Sequence, residues 1–176
     1  MKQILTIAGS DSGGGAGIQA DIKSIHANGG FAISAITSVT AQNTCEVTSA
    51  FDLPIEIIEA QIDTVFADFE ISAVKTGMLS NAEIVQAVAK KLGQYAPPNI
   101  VVDPVMISKS GFPLLQEPAI ETIISSLIPL ATILTPNVHE AQLLSNMTIQ
   151  NVTEAKAAAK KIHQIGCHGV LIKGGH

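Results

Sequence analysis

ILTIAGSDSGGGAGIQAD, residues 4–21, joins a short apolar run to a glycine-rich turn and then to a segment of helical period. Residues 4–8 have the length and composition of a buried strand. Gly13, Gly14, Gly15 and Gly17 make a flexible turn, and Ile18, Ile22 and Ile25 recur as one helical stripe that Asn28, Gly29 and Gly30 bring to a stop. Strand, glycine-rich turn and helix, in that order, open a crossover unit of a parallel sheet. The same alternation continues outward along the chain. Further strands are expected at residues 32–39, 47–51, 71–75, 100–103, 132–135 and 170–173. Helices fill the gaps, the clearest at 54–69, where Ile55, Ile58, Ile62, Val65, Phe66 and Phe69 share a face and Pro54 suits the first turn. Ser80 and Glu83 have the spacing of a capping box for a helix burying Ile84, Val85, Val88 and Leu92. Later helices are expected at 117–127, 138–144 and 153–165. The class is α/β, a mostly parallel central sheet with helices on both faces, in one domain over residues 1–176.

Composition narrows the function. The chain is 47% hydrophobic, enough for one sizeable core, and carries 10 basic against 15 acidic residues, a net charge of -5. No basic run exists to neutralise a phosphate backbone, and aromatics are only 3%, which argues against nucleic acid as a partner. The apolar run after Met1 is too short for a signal peptide or a spanning helix, so no membrane partner and a cytoplasmic location are expected. Cys45 and Cys167 lie far apart and are each expected to be small buried residues, and the five histidines lack metal-ligand spacing.

Ligands of open parallel sheets bind beyond the carboxyl ends of the strands. Those ends read GSDSGGG after the first strand, TAQNT after the second, then TGM, DPVM, TPN and KGG. Turns use such residues anyway, but six polar or glycine-rich ends together can line one crevice. The first loop is not a Walker loop, because no Lys-Ser or Lys-Thr follows its glycines, and Ile18 stands where GxGxxG needs its last glycine. Two readings stay open: a tight turn for close strand–helix packing, or a loop whose N–H groups and helix end hold a small polar ligand.

This loop, with AGIQAD leading into the helix, resembles the opening signature of the hydroxymethylpyrimidine kinases within the ribokinase-like superfamily. TAQNT at 40–44, KTGML at 75–79, VVDPVM at 101–106, TPNVHEA at 135–141 and VLIKGGH at 170–176 resemble further family segments, in family order. The resemblance spans essentially the whole chain. It implies a ribokinase-like fold, a homodimer, and ATP-dependent, magnesium-assisted phosphorylation of 4-amino-5-hydroxymethyl-2-methylpyrimidine and then of its monophosphate, in thiamin biosynthesis.

Carried over position by position, the resemblance makes Gln42 the amide that reads the pyrimidine edge, with donor and acceptor both on offer. Met78, with Gly9, Ala16 and Val105, would line the flat face of the ring. Asp11 and Asp21 would serve its polar side, although a carboxylate early in a helix also suits the helix dipole. Asp103 follows the apolar run IVV, a costly place for a carboxylate unless it meets a cation, donors or water. In the family that position helps hold magnesium. Asn137 and Glu140 match an NxxE pattern that would orient the metal's water shell near the phosphates, while simple helix capping would use Asn137 without Glu140. Lys173 would present a cation to the ATP phosphates. His139 and His176 have no role in this scheme.

A GTG-type loop, which in the superfamily forms the anion hole and carries the catalytic base, does not occur in these 176 residues. The chain is therefore expected to be a truncated domain, incomplete at its C-terminal end, with no catalytic base assigned. Two alternatives accompany the kinase reading: a pyridoxal kinase, whose substrate is also a hydroxymethylated heteroaromatic ring, and a non-catalytic pyrimidine-binding protein.

Overall fold

The computed structural model describes residues 1–106 and 117–174. Six strands form one sheet in the order β3-β2-β1-β4-β5-β6. They are β1 (Gln3–Asp11), β2 (Phe31–Gln42), β3 (Val47–Asp52), β4 (Ile71–Thr76), β5 (Ile100–Val102) and β6 (Ile133–Leu134). Every neighbouring pair is parallel except β2 and β3, an antiparallel edge hairpin. That hairpin needs no crossover, and its turn closes on Asn43 Oδ1, which accepts from the amides of Cys45 and Glu46.

Helices α1 (Gly17–Ala27), α2 (Ile55–Asp68), α3 (Ala82–Tyr95), α4 (Glu117–Thr122), α5 (Val138–Ser145) and α6 (Val152–His163) fill the gaps. The largest core cluster unites Leu5 and Ile7 of β1 with Ile58 and Ile62 of α2 and with Ile84, Val88 and Leu92 of α3. Alternation along β1 turns Thr6 the other way, and there its hydroxyl meets Asp21 of α1. Helices therefore cover both faces. No described helix is long and apolar enough to cross a membrane.

Several elements differ from the sequence expectation. Strands β1 and β2 run past Ala8 and Val39, because Ser10↔Val39 and Asp11↔Thr40 resume the parallel ladder after a register shift at Gly9. The strand expected at 170–173 is reduced to two isolated bridges, Leu134↔Val170 and Asn137↔Lys173. Pro136 lies between them and has no N–H for the ladder. The helix expected at 117–127 becomes α4, a π turn over Ile123–Leu127 and a 3-10 turn over Ile128–Leu130. Pro129 ends the α register there, since it has no N–H to offer the carbonyl four residues back.

The capping box expected of Ser80 and Glu83 is not formed. Asn81 caps α3 by accepting from Ile84 N at 2.9 Å, while the Ser80 hydroxyl donates to Asp52 at 2.7 Å. Cys167 is buried as expected, but Cys45 is exposed at the hairpin tip. Residues 175–176 lie outside the described residues, so the end of KGG and His176 have no structural description.

Helices α2 and α3 are tied by Asp63, which accepts from Lys91 Nζ at 2.6 Å and from Tyr95 Oη at 2.8 Å, beside a stacked Phe66–Tyr95 pair. The Lys91 hydrogen bond, helped by Tyr95, holds the Asp63 carboxyl below the ordinary carboxylate range. The folded value is thus below the unfolded one. The tie stabilises the fold above the ordinary range and is lost as pH falls through the folded value. Asp63 is 42% exposed, so its share is under about 1 kcal/mol. Asp63→Asn should flatten the acid limb of a melting-temperature profile slightly, and an acid limb as steep as the wild type's would rule the tie out as its cause.

Candidate functional site

The loop between β1 and α1 is built around Asp11. Its Oδ1 accepts from Gly13 N at 2.7 Å, and Oδ2 accepts from Gly15 N at 3.0 Å and Ala16 N at 2.8 Å. Charge-assisted bonds of this kind outweigh neutral ones, so a 5% exposed carboxylate is tolerable here. Three amides that the glycine pattern suggested for a ligand are thereby occupied by the chain's own anion. Gln19 braces the same turn, accepting from Asp11 N at 2.8 Å and donating to Ser10 Oγ at 2.7 Å. Gly17 has φ of +56°, and a Cβ there would lie 2.3 Å from the carbonyl oxygen of Gly9. Helix α1 can start so close to β1 only without that side chain.

Gly9 has a second reason to lack a side chain. The Met78 methyl group would sit 2.5 Å from a Cβ at this position, so the thioether packs directly on the β1 backbone. The Met78 carbonyl accepts from Thr37 Oγ1 at 3.1 Å, which ties the loop after β4 to β2. Gln42 is the last residue of β2, not a loop residue beyond it. The Ser12 hydroxyl donates to Gln42 O at 2.7 Å and accepts from Gln42 N at 2.8 Å, joining the hairpin to the glycine loop. The Gln42 side-chain amide lies 3.1 Å from Thr40 Oγ1, whose single proton also has Ser10 O within reach at 3.0 Å, and the residue lines the cleft.

A cleft of about 520 Å³ opens between these elements. Its lining includes Gly9, Asp11, Ala16 and Asp21 from the first loop and helix, Gln42 from β2, and Met78 and Val105 from the loops after β4 and β5. All the residues expected to meet the ring are therefore brought together. Asp21 is past the first turn of α1, so the helix dipole does not explain it. Its carboxylate instead accepts from Thr6 Oγ1 at 2.6 Å and Lys75 Nζ at 2.9 Å.

Asp103 lines the same cleft and joins it to a second polar group. Its Oδ1 meets Lys173 Nζ at 2.6 Å, so the cation that offsets this carboxylate is a lysine brought from 70 residues away. Backbone pairing sets that meeting, with Lys173 N donating to Pro136 O at 2.7 Å. Asn137 and Glu140 form a complete capping box: Glu140 Oε2 accepts from Asn137 N and Asn137 Oδ1 accepts from Glu140 N, each at 2.8 Å. Helix capping thus uses both residues, contrary to the expectation that it would need Asn137 alone. Glu140 is 3% exposed, and burial pushes its carboxyl up, an effect the Asn137 amide partly offsets.

Among the described residues, no three His, Cys, Asp or Glu side chains converge as a metal cluster. Asp103 and Glu140 alone, with Glu140 held by backbone amides, suit a hydrated cation approached through water better than one gripped by both carboxylates.

Sequence reasoning missed Lys75 and the hairpin tip from Asn43 to Val47, all of which line the cleft. Lys75 opens the KTGML segment. Strand alternation puts it on the face opposite buried Val74 and Thr76, and that period was the available signal.

The profile of a family described as phosphomethylpyrimidine kinase matches residues 11–176. A hydroxymethylpyrimidine/phosphomethylpyrimidine kinase of Haemophilus influenzae is 49% identical over 176 residues, which is 100% of this chain and 65% of that protein. The chain thus spans about 65% of the length of such curated relatives. A crystal structure of phosphomethylpyrimidine kinase from Clostridium difficile superposes with a TM-score of 0.94 at 50% identity, over 100% of this chain and 76% of that one. An ADP complex of Bacillus subtilis pyridoxal kinase gives 0.90 at 38% identity, over 99% and 67%.

Proposed function

The chain belongs to the phosphomethylpyrimidine kinase family, and from that premise we propose that it binds 4-amino-5-hydroxymethyl-2-methylpyrimidine, or its monophosphate, for phosphorylation by ATP. The observation that supports this most is the shared position of Asp103, which lines the cleft and also pairs with Lys173. Gly9, Ala16, Met78 and Val105 give the ring its apolar walls, and Gln42 offers a side-chain amide, donor and acceptor both, to its edge. The hydroxymethyl group then points toward Asp103. Lys173 sets a positive charge where the phosphates of ATP approach, and its ion pair with Asp103 keeps that charge from drifting into solvent. Magnesium, when bound, supplies further neutralisation of phosphate charge, and Asp103, Glu140 and Asn137 are the residues that would hold its water shell.

The transfer itself depends on positioning and charge stabilisation. Its test is ADP formation from ATP with and without the pyrimidine, paired with calorimetry of ring binding. Ring-dependent ADP formation supports the kinase reading. Ring binding without turnover would leave a binding protein, and tighter binding of pyridoxal would overturn the substrate, a rival that the pyridoxal kinase likeness keeps in view. Within the same titration, Gln42→Ala should weaken pyrimidine binding by about 10- to 100-fold, the range for losing a hydrogen bond in a partly closed site. Stability should barely change, because the hairpin bonds of Gln42 come from its backbone. Unaltered affinity would remove Gln42 from the site.

A further inference from the structure

Asp21 and Lys75 form an ion pair on the wall of the cleft, with side chains 18% and 23% exposed. Both bonds to Asp21, from Thr6 and from Lys75, fall on Oδ2. Oδ1 therefore has no partner among the described residues. A lysine ammonium has three N–H donors, and Asp21 takes one. Thr6 is fully buried in β1, Lys75 belongs to β4 and Asp21 to α1, so three elements clamp the pair. Gly77 leaves room for it, since a Cβ there would lie 2.9 Å from Lys75 Nζ.

A partly buried ion pair is a weak source of stability, because desolvation offsets much of the attraction. This one leaves an acceptor oxygen and surplus donors side by side, open to the cleft. An amine next to a ring nitrogen offers the matching order, donor beside acceptor.

We propose that Lys75 is a specificity-determining residue which, together with Asp21, reads the amino edge of the bound pyrimidine. Asp21 Oδ1 accepts from the exocyclic amine, and the Lys75 ammonium donates to the adjacent ring nitrogen. This rests on the ring assignment above and deepens it. Pyridoxal carries an aldehyde oxygen beside its hydroxymethyl group in place of the amine. That oxygen would face the Asp21 carboxylate, acceptor against acceptor, so the pair also selects against pyridoxal.

The test compares two ligands by calorimetry on this chain: 4-amino-5-hydroxymethyl-2-methylpyrimidine and the same molecule with CH replacing the ring nitrogen next to the amine-bearing carbon. The wild type should bind the pyrimidine at least about tenfold more tightly than the CH analogue, as expected for a hydrogen bond from a charged group. Lys75→Met should erase most of that preference and leave the affinity for the CH analogue within about twofold. If Lys75→Met does not fold by circular dichroism, Lys75→Gln serves, with partial loss of preference expected because one donor group remains. An equal loss for both rings would assign Lys75 a structural role only and overturn the proposal, as would an undiminished preference. If the wild type binds neither ring, the ring assignment itself falls and takes this role with it, an outcome distinct from the other two.

Discussion

Gly17→Ala should destabilise the protein by about 3 kcal/mol or more, the sum of a left-handed backbone forced on a non-glycine residue and of an overpacked contact. In a chain of this size that lowers the melting temperature by roughly 10 °C. The cause is specific. Gly17 has φ of +56°, and its would-be Cβ meets Gly9 O at 2.3 Å and Asp11 N at 3.3 Å, both backbone atoms of β1. Neither can turn aside. Relief requires α1 to move off the strand, which also displaces Asp21 and opens the cleft. Gly9→Ala is the informative control. There the nearest obstacle is the terminal methyl of Met78 at 2.5 Å, and a flexible thioether can swing away. Its cost in stability should be much smaller, with ring affinity the quantity that drops. Equal melting temperatures for Gly17→Ala and the wild type would show that the helix start does not need this close approach.

Asp11→Ala should cost about 2–3 kcal/mol and weaken ring binding, because one buried carboxylate organises three amides of the loop. The cost stays below the sum of three such bonds, since Gly15 and Ala16 are exposed and water reaches them in the variant. Urea denaturation gives the stability change, and amide exchange at Gly13, Gly15 and Ala16 locates it. A second readout separates this account from general destabilisation. With the carboxylate gone, three N–H groups near the start of α1 become an anion site. Inorganic phosphate should then stabilise Asp11→Ala while leaving the wild type nearly unchanged. Equal responses would show that Asp11 does not occupy the loop's anion position.

Much of the fold was legible locally. The stripe from Ile55 to Phe69 gave α2, with Ile58 and Ile62 fully buried, and the glycine loop marked the turn from β1 to α1. Errors gathered where a distant partner overruled a local signal. Ser80 and Glu83 had capping-box spacing, yet Asp52 draws the Ser80 hydroxyl and leaves the cap to Asn81. Residues 170–173 had strand composition, but the missing N–H of Pro136 breaks their ladder with β6 and the residues that follow it. Strand β2 reaches Gln42 because β1 and β3 both pair with its polar end.

The candidate site divides in the same way. Which residue types stand at the strand ends follows from the sequence alone, because strand period and turn chemistry are local properties, and four of the six expected ends line the cleft. The opening stretch and the later motifs together marked, through their family resemblance, the residues that converge on the cleft. Only the tertiary structure decided how their polar atoms are used. Asp11 turns inward to hold its own loop, Asp21 turns to Lys75, and Asp103 takes Lys173. A charged side chain is stabilised by whichever partner folding brings within hydrogen-bond reach: Asp11 finds its amides within its own loop, but partners 54 and 70 residues away are set by sheet order and crossover geometry, which no local pattern encodes.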